Sequence, residues 1–304
     1  MFKLILLALS DRGDGKAAFQ AASSMAVRNN AGFTVLHVST PLGHEGGCVL
    51  QLSNAEEISA RRVEIEDMCR AMMPSGLTAD VMLSAGFLDV EILKTCRLLE
   101  PDLLVVGEQS GADKCRRELT TMGAADTAEL TARTAPCPVM AIPAAAKPDT
   151  LSGAFQRILI ASDLTPGTTG IFKVAEQISA QENAELRAFH VLAADESVSD
   201  RTALNCKIEK AKKQLTYLCR NLPVACLTAA REGEPALEIL KYMREHDVDL
   251  LIMATHCYNA NPEEQNGAVA AAVINRARCP VMLVGPAVAT INPDVSARTP
   301  RGNK

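Results

Sequence analysis

The chain has 304 residues, a net charge of −5, 48% hydrophobic residues and only 3% aromatic residues with no Trp. That length suits two domains of about 150 residues. The acidic balance and the scarcity of rings argue against a nucleic-acid surface and against binding to an anionic membrane. The ten cysteines show no CxxC pair and no zinc-like spacing.

The first element in chain order is an apolar run, Leu4 to Leu9, inside MFKLILLALSDRG. Its apolar part is too short for a signal h-region, and Asp11, Arg12 and Asp14 follow at once. It is expected to be a buried strand. No apolar run approaches the roughly 20 residues of a membrane span. The expected location is the cytoplasm, with mostly reduced thiols.

Further strands are expected at 33–38, 79–84, 102–107 and 138–142, then at 156–162, 185–191, 223–229, 248–254 and 280–284. Helical patterns lie between them. In 54–73, Asn54 and Glu57 have the spacing of a cap, and Ile58, Ile65, Met68 and Met72 form one face. In 199–221 the apolar stripe is Leu204, Ile208, Ala211, Leu215, Leu218 and Leu222, with lysines opposite. Strands that are apolar on both faces and alternate with helices imply a parallel sheet covered on both sides.

The chain also repeats itself. LILLALSD at 4–11 is matched by ILIASDLT at 158–165, and FTVLHVST at 33–40 by LRAFHVLA at 186–193. EILK occurs at 91–94 and 238–241, PDLLVVG at 101–107 is matched by VDLLIMA at 248–254, and Gly86 by Gly233. GAADTAELTARTAPCPVMAIP at 123–143 corresponds to GAVAAAVINRARCPVMLVG at 267–285. Landmarks in one order, twice, define two copies of a βαβαβαβαβ unit. The expected organisation is a first domain at 1–145, a linker at 146–155, a second domain at 156–287 and a flexible tail at 288–304.

IASDLTP after the first strand of the second copy, HV ending the next strand, REGEPALEIL before the fourth and RARCPVMLV at the fifth together resemble the universal stress protein family. The resemblance covers both copies, residues 1–286, and implies a tandem member. It implies two repeated doubly wound α/β domains, each a five-stranded parallel sheet of order 3-2-1-4-5 with helices on both faces. It also implies pairing through the fifth strands, here within one chain. A homodimer of the whole chain is a further expectation.

Members of this family that bind ATP carry a loop of the form Gly-x-x-Gly, nine residues, then Gly-Ser or Gly-Thr after the fourth strand. Such a loop cradles phosphates with backbone N–H groups at a helix start, in the crevice where the strand order reverses. In the second copy the frame is Ala254, two residues, Cys257, nine residues, then Gly267-Ala268. Cysteine for glycine costs roughly 1–2 kcal/mol if that position needs φ > 0, and Ala268 offers no hydroxyl. Glu263 and Glu264 sit in the loop, and no lysine or arginine lies between Arg244 and Arg276. Asp163 stands at the family's adenine-side carboxylate. The first copy has Gly107, Ser110 and Gly123-Ala124 with a gap of twelve, the cations Lys114, Arg116 and Arg117, and Ser10 in the Asp place. The candidate ligand residues are therefore Asp163, Val191, Ala254, His256, Cys257, Gly267, Ala268 and Val269, and the expected ligand is ATP or another adenine nucleotide.

His37 and His190 end apolar strands without a nucleophile motif and are expected to pack there. Cys69, Cys96, Cys137, Cys206, Cys219 and Cys279 are expected to be small buried hydrophobes. No GxSxG, HExxH, GxxxxGK[ST] or SGGxDS loop is present. The expected function is a non-catalytic stress-response or signalling protein with a degenerate nucleotide crevice, better kept in the second copy. The alternatives are a thiol-based redox or metal sensor and a slow ATPase. Two sulfurs within bridging distance are what the sensor requires.

Overall fold

The computed structural model describes residues 1–10, 15–39, 55–107, 124–147, 149–165, 168–193, 201–220, 222, 224–255 and 268–289. The first half runs β1 (Leu4–Ser10), α1 (Lys16–Asn29), β2 (Gly32–Ser39), α2 (Ala55–Met72), β3 (Asp80–Ala85), α3 (Leu88–Leu99), β4 (Leu103–Gly107), α4 (Ala124–Thr134) and β5 (Val139–Ile142). A short helix, α5 (Asp149–Ser152), follows. The second half runs β6 (Arg157–Ala161), α6 (Thr169–Glu182), β7 (Glu185–Leu192), α7 (Arg201–Cys219), β8 (Cys226–Glu232), α8 (Pro235–Glu245), β9 (Leu250–Ala254), α9 (Ala268–Ile274) and β10 (Val281–Val284), before α10 (Pro286–Ala289). No described helix is long and apolar enough to cross a membrane.

The ten strands among the described residues form one sheet of order β3-β2-β1-β4-β5-β10-β9-β6-β7-β8. Each half has the order 3-2-1-4-5, and its strands are parallel. The halves join through β5 and β10, which run antiparallel with Met282 opposite Met140 and the pairs Val281–Ala141 and Leu283–Val139 on either side. Alternation along a strand sends neighbouring side chains to opposite faces. In β1, Ile5, Leu7 and Leu9 enter one core with α1, whereas Leu6 and Ala8 enter the other. Each core continues across the β5–β10 joint into the second half. The sheet therefore buries both faces, as its near-continuous apolar strands require.

Polar links also cross between the halves. The Arg28 guanidinium meets the Glu182 carboxylate at 3.2 Å, and Gln181 donates to Asn29 at 3.0 Å. The segment between β5 and β6 takes part: Ser24 donates to the Ser152 carbonyl at 2.7 Å, and Leu151 and Phe155 are buried.

The repeat is legible down to single side chains. Asp102 accepts from the N–H groups of Lys3 and Leu4, and Asp249 accepts from those of Gln156 and Arg157. Each carboxylate thus satisfies backbone donors where the first strand of its half begins. Gly86 and Gly233 have φ of 154° and 152°, a conformation side-chain-bearing residues rarely take. A Cβ on them would lie 3.1 Å from Glu91 and 2.7 Å from Glu238, the matched glutamates of the two EILK stretches. Gly233→Ala is expected to cost about 1–3 kcal/mol through backbone strain, read as a lower urea midpoint with an unchanged slope.

Three sequence expectations change in detail. β8 spans Cys226–Glu232 rather than 223–229. As an edge strand it is half-buried, and its extent follows pairing with β7 as far as Leu192–Glu232 rather than its apolar letters. On α2 the described buried face is Ile65, Met68, Cys69 and Met72; Asn54 lies outside the described residues, as do the side chains of Glu57 and Ile58. Cys206 is exposed, not buried, because it sits two residues past Leu204, on the far side of the α7 stripe. Of the tail expected at 288–304, residues 288–289 end α10, with Val288 packed against the core, and 290–304 lie outside the described residues.

Candidate functional site

The order of the second half reverses between β6 and β9, the place where open α/β sheets keep their ligand crevice. A cavity of about 270 Å³ opens there, at the carboxyl ends of these strands. Ala161, Ser162 and Asp163 at the end of β6, with Thr168 before α6, form one wall. Met253 and Ala254 of β9 and Val269 and Ala270 of α9 form another, and Phe189 and Val191 of β7 with Pro235 and Ile239 of α8 complete it. Among the described residues of this lining, Asp163 is the only charged one.

The Asp163 turn is held by a dense polar set. One Asp163 carboxylate oxygen accepts from the Thr165 backbone N–H at 3.1 Å and from its hydroxyl at 2.9 Å. Ser162 Oγ accepts from the Leu164 N–H at 3.1 Å and donates to Thr168 Oγ1 at 3.3 Å. Thr168 in turn donates to the Thr165 carbonyl at 2.7 Å. These bonds hold Leu164 at φ 64°, a left-handed conformation that costs a non-glycine residue free energy and survives where its surroundings over-determine it. From the neighbouring strand, His190 Nδ1–H donates to the Ser162 carbonyl at 2.8 Å, so this histidine braces the turn. His37, its counterpart, is buried at the end of β2.

At the base of α8 the Glu234 carboxylate accepts from the N–H groups of Ala236 and Leu237 at 3.1 and 2.7 Å, with Pro235 at the first helical position. That helix start is therefore occupied by the chain's own carboxylate. The floor is closely packed: Phe189 is fully buried and stacks on Tyr242 at 4.3 Å between ring centroids.

Of the residues singled out from sequence, Asp163, Val191, Ala254 and Val269 meet at this cavity. Ala268 opens α9, and its side chain lies outside the described residues, as do His256, Cys257 and Gly267. Sequence reasoning missed the apolar walls Phe189, Ile239 and Met253. Phe189 could have been found as the residue two before Val191 on the same strand face. Ile239 lies one helical turn beyond Pro235, and so on its side of α8.

The thiols divide into two kinds. Cys69, Cys96, Cys137, Cys219 and Cys279 are buried; burial pushes the Cys69 thiol up to about 11 and the Cys279 thiol higher still. Two pairs nevertheless come together. Cys96 and Cys137 hydrogen-bond deep in one core, and the Cys219 and Cys226 sulfurs lie 3.1 Å apart. Among the described residues, no group of three or more His, Cys, Asp or Glu side chains is arranged to hold a metal.

A duplicated, doubly wound α/β unit with a crevice at the strand reversal of its second half defines a tandem α/β protein. The Universal stress protein family model matches residues 1–143 and again 154–285, and the chain belongs to the universal stress protein family. Among solved structures, a universal stress protein from Archaeoglobus fulgidus DSM 4304 is similar at 18% identity, with 92% of this chain and 96% of that chain covered and a TM-score of 0.69. A putative universal stress protein from Pseudomonas aeruginosa UCBPP-PA14 is similar at 15% identity, 95% of each chain and a TM-score of 0.63. These likenesses establish the fold over nearly the whole length. No curated protein matches the chain.

Proposed function

We propose that this chain is a non-catalytic universal stress protein whose second half binds an adenine-bearing ligand of low charge in the crevice beside Asp163. The observation that carries this reading is the cavity itself: an apolar slot between Phe189, Ile239, Met253 and Ala254 with one carboxylate at its rim. A flat base fits the apolar walls, and a carboxylate accepts hydrogen bonds from ribose hydroxyls or an exocyclic amine. At about 270 Å³ the slot falls just below the roughly 300–1,000 Å³ of ordinary ligand pockets. The described part of the slot has room for a base and sugar. Among the described residues its lining also holds no cation to balance phosphates, so the degenerate residues of the 254–268 frame and the charge of the described lining point the same way.

The non-catalytic reading rests on the same lining. Its hydroxyls, Ser162 and Thr168, hold the turn, and His190 is engaged with a backbone carbonyl. No nucleophile–base pair faces the cavity among the described residues, and such a pair is what activates a hydroxyl or water.

Asp163→Ala is expected to weaken binding of AMP by about 10- to 100-fold, the effect of losing hydrogen bonds to a charged acceptor. Isothermal titration calorimetry of the variant and its parent checks this. Equal affinities in the two proteins would remove Asp163 from the site.

A further inference from the structure

We infer that Cys219 and Cys226 form a reversible disulfide when the protein meets a hydroperoxide. Cys219 ends α7 and Cys226 begins β8, the edge strand of the sheet. Their sulfurs are 3.1 Å apart as free thiols. The alignment is not confined to the sulfurs: one turn back on the helix and two residues on along the strand, the Thr216 and Thr228 hydroxyls meet at 3.2 Å. Helix and strand therefore lie in register, so an S–S bond asks for movement of the two side chains more than of the backbone.

Access separates this pair from the other. Cys96 and Cys137 are 0% and 2% exposed within one core, whereas Cys226 is half-buried on the sheet's edge and Cys219, though only 8% exposed, lies directly behind it. A small oxidant reaches the second pair from solvent and the first only after unfolding.

The chemistry balances without further reagents. One thiolate of the pair attacks a peroxide oxygen, the O–O bond breaks and water or an alcohol leaves. That sulfur is now a sulfenic acid. The second sulfur attacks it, the S–S bond forms, the S–O bond breaks, and hydroxide leaves as water with the proton of the second thiol. Two thiols give up two electrons, and the peroxide accepts them. A dithiol reductant reverses the step by exchange.

Closing this short loop constrains the unfolded chain and fastens the edge strand to its helix. The expected stabilisation raises the melting midpoint of a chain this long by about 4 °C. This site is independent of the crevice, so the fate of the nucleotide reading does not decide it.

The test treats the full-length protein with limiting hydrogen peroxide, blocks the remaining thiols by alkylation and maps disulfide-linked peptides by mass spectrometry. The expected first product is the Cys219–Cys226 link, formed while Cys96 and Cys137 still alkylate on unfolding, and removed by dithiothreitol with return of the lower melting midpoint. Cys226→Ser is expected to abolish both the link and the midpoint shift. Any other pair linking first overturns the proposal, and so does peroxide consumption without a Cys219–Cys226 link. The wild-type map decides the question even if the variant folds poorly.

Discussion

Met282→Asp is expected to leave little folded protein. Met282 is fully buried at the centre of the β5–β10 joint, opposite Met140, which is equally buried. Both belong to the core that runs through the two halves. An aspartate there would be a carboxylate in an apolar layer with no cation among its strand partners. Such a group either stays charged at a high desolvation cost or takes up a proton at the expense of its normal ionisation. Burial of an unpaired charge belongs to the few mechanisms that exceed about 4–5 kcal/mol, against a total of about 5–15 kcal/mol for a typical domain. The expected outcome is loss of the cooperative melt, or its recovery only at acid pH, where the carboxylate is neutral. A variant that melts like its parent at neutral pH would show that the joint is not the shared core described.

The second large effect is expected from one methyl group. A Cβ on Gly285 would lie 1.9 Å from the backbone oxygen of Ala132 in α4. The atom it meets belongs to the other half and to a helix, so no rotamer change relieves the clash. α4 and the end of β10 must separate, opening the packing of Gly285 beside Thr255 as well. Overpacking of this kind costs about 1–3 kcal/mol and more where backbone must move. Gly285→Ala should therefore lower the urea midpoint, and a steeper loss is expected for Gly285→Val. Parent-like midpoints for both would mean that the two halves touch more loosely than this contact requires.

These two sites explain how much the sequence disclosed. The duplicated RCPVMLVG and PCPVMAIP stretches marked the fifth strands because continuous apolar runs betray strands buried on both faces. The resemblance then supplied their pairing. The edge strand β8 was displaced by three residues in the sequence reading, because Thr228, Arg231 and Glu232 on a half-buried edge carry no apolar signature. The crevice was legible at Asp163, Val191, Ala254 and Val269, each fixed by its place at a strand or helix end. Its walls were not, since Phe189 and Ile239 look like any core residue until the topology brings them to one point. Cys219 and Cys226 were hidden for a similar reason: no CxxC spacing joins them, and only the packing of α7 on β8 brings their sulfurs together. Gly285 gave no sign because its constraint comes from Ala132, in the other copy.

The crevice at the strand reversal of the second half is proposed to take an adenine-bearing ligand of low charge. The most direct measurement is the melting midpoint of the wild-type protein against rising adenosine, AMP and ATP, since a ligand that binds the native state must raise it once its concentration exceeds Kd. The account predicts a saturable rise with adenosine and AMP, and a smaller one with ATP at equal concentration. A midpoint that stays flat with all three at millimolar concentration, or that rises with ATP alone, would contradict it.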